Sequence, residues 1–120
     1  MDAERKKELI NDYKRTPRAY GVFSVTNLRN GRKLLVAAPD IDARMRRHRL
    51  QLTTGGHAVK ELQQDWSEIG EDGFEFEVLE RIVPDDADAD ISGDLKVLEE
   101  LWHEKLQPYG ERGYHVKKKP

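Results

Sequence analysis

Apolar and polar positions along this chain change their period several times, and each change marks an element. Residues 2–15 carry Leu9, Ile10 and Tyr13 as a weak apolar stripe in a charged stretch, which predicts a helix ended by Thr16-Pro17. Residues 20–27 and 33–38 are two largely apolar runs around Asn30-Gly31, the signature of a hairpin. Ile41, Met45, His48 and Leu52 then share one helical face over 41–53, after Pro39-Asp40. Val59, Leu62, Trp66 and Ile69 do the same over 57–69, and Gly70 closes that helix. Phe74 to Glu80 alternates cleanly and reads as a strand. A last helix over 94–106 lines up Leu95, Leu98, Leu101, Trp102 and Leu106, and Pro108 stops it.

The order α-ββ-α-α-β-α predicts an α+β fold: a small three-stranded antiparallel sheet flanked by helices. A length of 120 residues fits one domain with one modest core. Its expected divisions are a helical extension (1–17), a core (18–115) and a basic tail (116–120) carrying Lys117 to Lys119.

Composition narrows the chemistry. With no cysteine there are no disulfides, thiolate metal sites or cysteine nucleophiles. No stretch approaches the roughly 20 apolar residues of a membrane span, and the charged N-terminus has no signal-peptide core. A cytoplasmic protein without a membrane partner, monomeric or a small homo-oligomer, is the expectation. The net charge of −2 conceals a split: residues 1–60 hold 14 Lys/Arg against 6 Asp/Glu, and residues 61–120 hold 7 against 17. Such a split can give a face for phosphates and a face for cations, or two halves that attract each other. Arg29, Arg32 and Lys33 surround the hairpin turn, and Arg44, Arg46, Arg47 and Arg49 crowd the next helix. This is the best nucleic-acid-binding signal in the chain, and a solvated helix face explains it as well.

Several short motifs occur in one order from Tyr20 to His115. They are Gly21-Val22-Phe23, Asn30-Gly31, Leu34-Leu35-Val36, Arg44 with His48, Gly55-Gly56-His57, Leu62-Gln63-Gln64-Asp65-Trp66, Phe74 to Glu80, Glu99 three before Trp102, and Gly113-Tyr114-His115. In that order and spacing they resemble the GIY-YIG nuclease domain. The resemblance implies that two tyrosines support water activation, an arginine stabilises the phosphate, and one glutamate holds a divalent metal, Mg²⁺ or Mn²⁺. Arg44, His57 and Glu99 match retained positions. Phe23 and Leu34 stand where the tyrosines belong, Val36 replaces a glycine, and His115 replaces an asparagine.

Neither phenylalanine nor leucine can accept a proton, and strand alternation points Tyr20, Ser24 and Thr26 away from Phe23. One lost acid–base group costs roughly 10²–10⁴-fold. His57 is the best substitute base by chemistry, since imidazole titrates near neutrality. It could equally cap its helix. Glu99 is a Mg²⁺ ligand, a partner of Arg44 or simply exposed. Arg44 is a phosphate clamp or the partner of Glu99 or Asp40. His48 reads as a core histidine, His103 as surface, His115 as a phosphate contact or an ordinary tail residue, and both tryptophans as core. Asp86, Asp88, Asp90 and Asp94 follow calcium-loop spacing, but Ile91 and Val97 occupy the positions that need glycine and glutamate, leaving a solvated turn with Asp94 or Ser92 as helix cap.

Three functions remain open. One is a nuclease-fold domain with a degenerate site that binds DNA, RNA or a partner with little cleavage. The second is a divalent-metal-dependent endonuclease using Arg44, Glu99 and a substitute base. The third is a protein-interaction scaffold.

Overall fold

A computed structural model of the chain describes residues 17–116. The expected helix over 2–15 and the lysines of the tail lie outside the described residues. Strands β1 (Tyr20–Asn27), β2 (Lys33–Ala38) and β3 (Phe74–Ile82) form one antiparallel sheet in the order β2-β1-β3. Helices α1 (Ile41–Thr54) and α2 (Lys60–Ile69) connect β2 to β3, and α3 (Ser92–Leu106) follows. This is the α+β arrangement that the hydrophobic pattern predicts.

The hairpin forms where Asn30-Gly31 places it, with Gly31 N–H donating to Asn27 O at 2.8 Å. Its register pairs Phe23 with Val36, Ser24 with Leu35 and Val25 with Leu34. Paired residues share a face, so Phe23, Val25, Leu34 and Val36 lie on one side of the sheet, and Ser24 and Leu35 on the other. The first side is the core: Phe23, Val25 and Leu34 pack with Ile41 and Leu52 of α1, Leu62 and Trp66 of α2, Phe74 and Tyr114. Gly21 lies against β3, and a Cβ there would lie 1.9 Å from Glu80 O.

Two helix starts differ from expectation. α2 begins at Lys60, not residue 57, because the His57 ring accepts the Val59 N–H at 3.0 Å and the Gln63 side chain accepts the His57 N–H at 3.0 Å. Residues 57–59 are thus a cap built from side chains. α3 begins at Ser92, and neither Asp94 nor Ser92 caps it. The Asp90 carboxylate instead accepts the Ser92 N–H at 3.1 Å and hydroxyl at 2.7 Å.

After α3 the chain turns at Pro108 and lays Gly113–His115 along the outer edge of β2. Tyr114 N–H donates to Lys33 O at 3.0 Å, and Leu35 N–H donates to His115 Nε2 at 2.8 Å. Gly113 is needed for this return, since a Cβ there would meet Pro108 O at 2.0 Å.

Candidate functional site

Phe23 and Leu34, the two positions expected to carry tyrosines, are both buried in the core between the sheet and α1/α2. Phe23 stacks with Phe76 at 6.2 Å and meets the His48 ring edge-on at 5.6 Å. Leu35 has the opposite orientation. It lines a groove of about 690 Å³ between β2, α3 and the returning chain. A side chain reaches that groove from position 35, one residue later than motif spacing indicates.

The groove collects polar residues from α3 at helical spacing: Lys96, Glu99, Glu100, His103, Glu104 and Gln107. Tyr109 and His115 complete its wall. The Tyr109 hydroxyl lies 3.0 Å from His103 Nδ1, and the His103 ring meets His115 edge-on at 4.8 Å. His103 is therefore half-buried in the groove, not the surface residue its position suggests. His115 takes the Leu35 N–H on Nε2; burial, with His103 adding to it, pushes its imidazole down to about 4.

Glu99 is exposed on the groove side of α3 and makes no ion pair among the described residues. Neither of the ion pairs left open for Arg44, to Glu99 or to Asp40, is formed. Asp40 bonds Arg18 at 3.0 Å and caps α1 through the Ala43 N–H at 3.2 Å. Arg44 and Arg47 instead flank a small hollow of about 170 Å³ with Pro39, Asp40 and Ala43. Arg44 and Glu99 thus face different concavities. Among the described residues no three His, Asp or Glu side chains converge as a metal site. A single exposed carboxylate such as Glu99 fits only the Mg²⁺ habit of one or two protein ligands completed by water and phosphate.

His57 is committed elsewhere. Its Nδ1 accepts the Val59 N–H, so the neutral ring carries its proton on Nε2, which lies 2.8 Å from His48 Nδ1. With one nitrogen bonded and the other protonated, His57 has no lone pair left to take a proton from water. Burial lowers both imidazoles, His48 to about 4, and His57, Arg44 and Arg47 add to the effect on His48.

The basic residues divide into two groups. Arg32 is structural: it stacks 4.3 Å over the Tyr114 ring, donates to Gly113 O at 3.1 Å, and pairs with Glu61 and Asp65. Arg49 lies over Phe76 at 4.7 Å and pairs with Glu71 at 3.4 Å, and Lys33 donates to Thr26 Oγ1 at 2.8 Å. Arg29, Arg44, Arg46 and Arg47 make no ion pair among the described residues.

Sequence reasoning missed Leu35, His103 and Tyr109 as groove residues. Only the spacing of four between Glu99 and His103, which puts both on one helical face, carried a signal. It also missed the core relay in which Tyr114 Oη donates to Asp65 at 2.7 Å and accepts from Asn27 at 3.2 Å. Burial, then the Asp65 bond, pushes that phenol up to about 12.

The sheet order and the helices are those of a GIY-YIG nuclease fold. Among solved structures, the catalytic domain of the homing endonuclease I-TevI matches with a TM-score of 0.66 and 23% identity over 82% of this chain and 99% of that one. A mutant of the catalytic domain of the intron endonuclease I-TevI matches with a TM-score of 0.60 and 24% identity, covering 74% of this chain and 84% of that one. No family model matches the chain, and no curated protein does. At these identities the likeness establishes the fold.

Proposed function

We propose that this chain is a nuclease-fold domain that binds nucleic acid through Arg29, Arg44, Arg46 and Arg47 and cleaves it slowly at most. The observation that carries this reading is the division of the basic residues. Arg44, Arg46 and Arg47, which make no ion pair among the described residues, lie within two turns at the start of α1, while Arg32 and Arg49 are engaged by side chains of the fold itself. Cations held out toward solvent gain most from a polyanion, because binding phosphates releases condensed counterions. Slow cleavage follows from Phe23 and Leu34, which supply no proton acceptor and fill the core. DNA and RNA are both candidate ligands, since a phosphate contact carries no base information.

A divalent ion belongs to the same proposal. Glu99 would hold Mg²⁺ or Mn²⁺, which neutralises phosphate charge when bound. The test is titration of labelled single- and double-stranded DNA and RNA at several salt concentrations, with wild type and Arg44/Arg46/Arg47→Ala. Binding that weakens steeply with salt and falls in the triple variant supports the reading. Absence of salt-sensitive binding would overturn it in favour of a protein-interaction scaffold.

A further inference from the structure

Phe23 and Leu34 put no phenol at the two positions where the resemblance implies one, yet the groove beside Glu99 contains one. We propose that Tyr109 is the catalytic base for slow, metal-dependent phosphodiester cleavage in this groove, with His103 holding its hydroxyl and taking up its proton. The inference rests on the reading of the chain as a nucleic-acid-binding nuclease fold.

Three observations lead to Tyr109. First, it shares a groove with Glu99, the one exposed carboxylate at a position matching the fold's metal ligand. Glu99 and His103 are one helical turn apart, so the carboxylate and the Tyr109–His103 pair are neighbours. Second, the Tyr109 hydroxyl is 3.0 Å from His103 Nδ1, a distance at which the imidazole can accept the phenol's proton. Third, the other candidates are occupied. His57 has no available lone pair, His115 Nε2 holds the Leu35 N–H, and the Tyr114 hydroxyl donates to Asp65.

The charge of the groove sets the conditions. Glu99, Glu100 and Glu104 face it against one Lys96. A phosphate would be repelled from this lining unless a cation offset it, so cleavage requires a divalent ion. Lys96, one turn before Glu99 and Glu100, is the cation available to a non-bridging phosphate oxygen.

The step balances without a redox partner. Tyr109 Oη passes its proton to His103 Nδ1 as it takes one from a water molecule. The water oxygen forms a bond to phosphorus, and the bond from phosphorus to the leaving sugar oxygen breaks. That oxygen takes a proton from the His103 imidazolium through solvent. One water and one phosphodiester become one phosphomonoester and one alcohol.

The experiment is single-turnover cleavage of a labelled single-stranded oligonucleotide with Mn²⁺, comparing wild type, Glu99→Gln, Tyr109→Phe and His103→Gln. The expected result is slow cutting by wild type that is lost in Glu99→Gln and reduced roughly 10²-fold or more in Tyr109→Phe, with salt-sensitive binding unchanged. His103→Gln changes the pH–rate profile as well as the rate, which a purely structural role would not do. Independently of turnover, NMR titration of His103 shifts in Tyr109→Phe, because its hydrogen-bond partner is gone. Should Tyr109→Phe fail to fold, His103→Gln and Leu35→Tyr, which adds a phenol to the same groove and should speed cutting, carry the test. Equal rates for wild type and Tyr109→Phe, or an unmoved His103 titration, overturn the assignment. Wild type that binds but never cuts also overturns it and leaves the binding reading intact; wild type that does neither removes both.

Discussion

His115 closes the free edge of the sheet with its side chain, taking the Leu35 N–H on Nε2 at 2.8 Å while Tyr114 bonds Lys33 through the backbone. An imidazole thus takes the place of a strand carbonyl. Leu35 is buried, so removing the acceptor leaves an N–H without a partner. His115→Ala should cost about 1–3 kcal/mol. Chemical denaturation of the variant checks this, and an unchanged midpoint would show that water replaces the ring.

The same bond makes stability depend on pH. His115 and His48 both have folded pKa values of about 4, below their ordinary 6.5, because burial disfavours the charged ring. The unfolded chain therefore binds more protons between these values. The contribution of each neutral histidine is complete above pH 6.5 and is lost as pH falls toward 4. Thermal melts across this range should fall with acid, and His115→Ala should flatten the slope. A melting temperature constant from neutrality to pH 4 would contradict the burial of both rings.

Adjacent leucines should respond unequally to the same substitution. Leu34→Tyr inserts a ring and a hydroxyl into the core, at an overpacking cost of about 1–3 kcal/mol. Leu35 is as buried as Leu34 but lines the groove, so the ring of Leu35→Tyr can extend into that space and should cost less. Melting curves of the two variants separate the cases; the reverse order would mean that the strand register is shifted by one.

His57 acts on stability through its cap. His57→Ala removes the acceptor for the Val59 N–H and the contact to His48, at a cost of about 1–2 kcal/mol. His57→Asn can accept that N–H through its own carbonyl and should recover part of the loss. Denaturation midpoints of the pair test this. Equal midpoints would place the role of His57 in the His48 contact alone.

The arginines should divide in the same way. Arg32→Ala removes the stack on Tyr114 and the bonds to Gly113 O, and should lower the melting temperature. Arg46→Ala and Arg47→Ala should leave melting unchanged and each reduce the salt slope of nucleic-acid binding by about 1. Parallel melts and salt titrations decide it, and a melting loss in Arg46→Ala or Arg47→Ala would contradict the division.

The sheet was legible because its signals are local. Two largely apolar runs about Asn30-Gly31 place both hairpin strands at their observed bounds, Tyr20–Asn27 and Lys33–Ala38. The starts of α2 and α3 were not, because the His57 and Asp90 side chains bond the backbone beyond them and displace the first turn. The site was less legible than the fold. Counting from the turn selects Leu34, but strand period is two, and one residue more or less exchanges the faces. Tyr109 belongs to no periodic segment; it reaches the groove because the chain folds back at Pro108.

That return has a consequence for how the molecule is made. β2 is an edge strand, and its cover, Gly113–His115, is translated long after the hairpin itself. On the ribosome the edge stays open while α1, α2, β3 and α3 are still being added. An open edge is a template for pairing with another nascent chain. Truncation before Gly113 would make that transient exposure permanent, and such a product should assemble edge to edge into aggregates rather than stay dispersed.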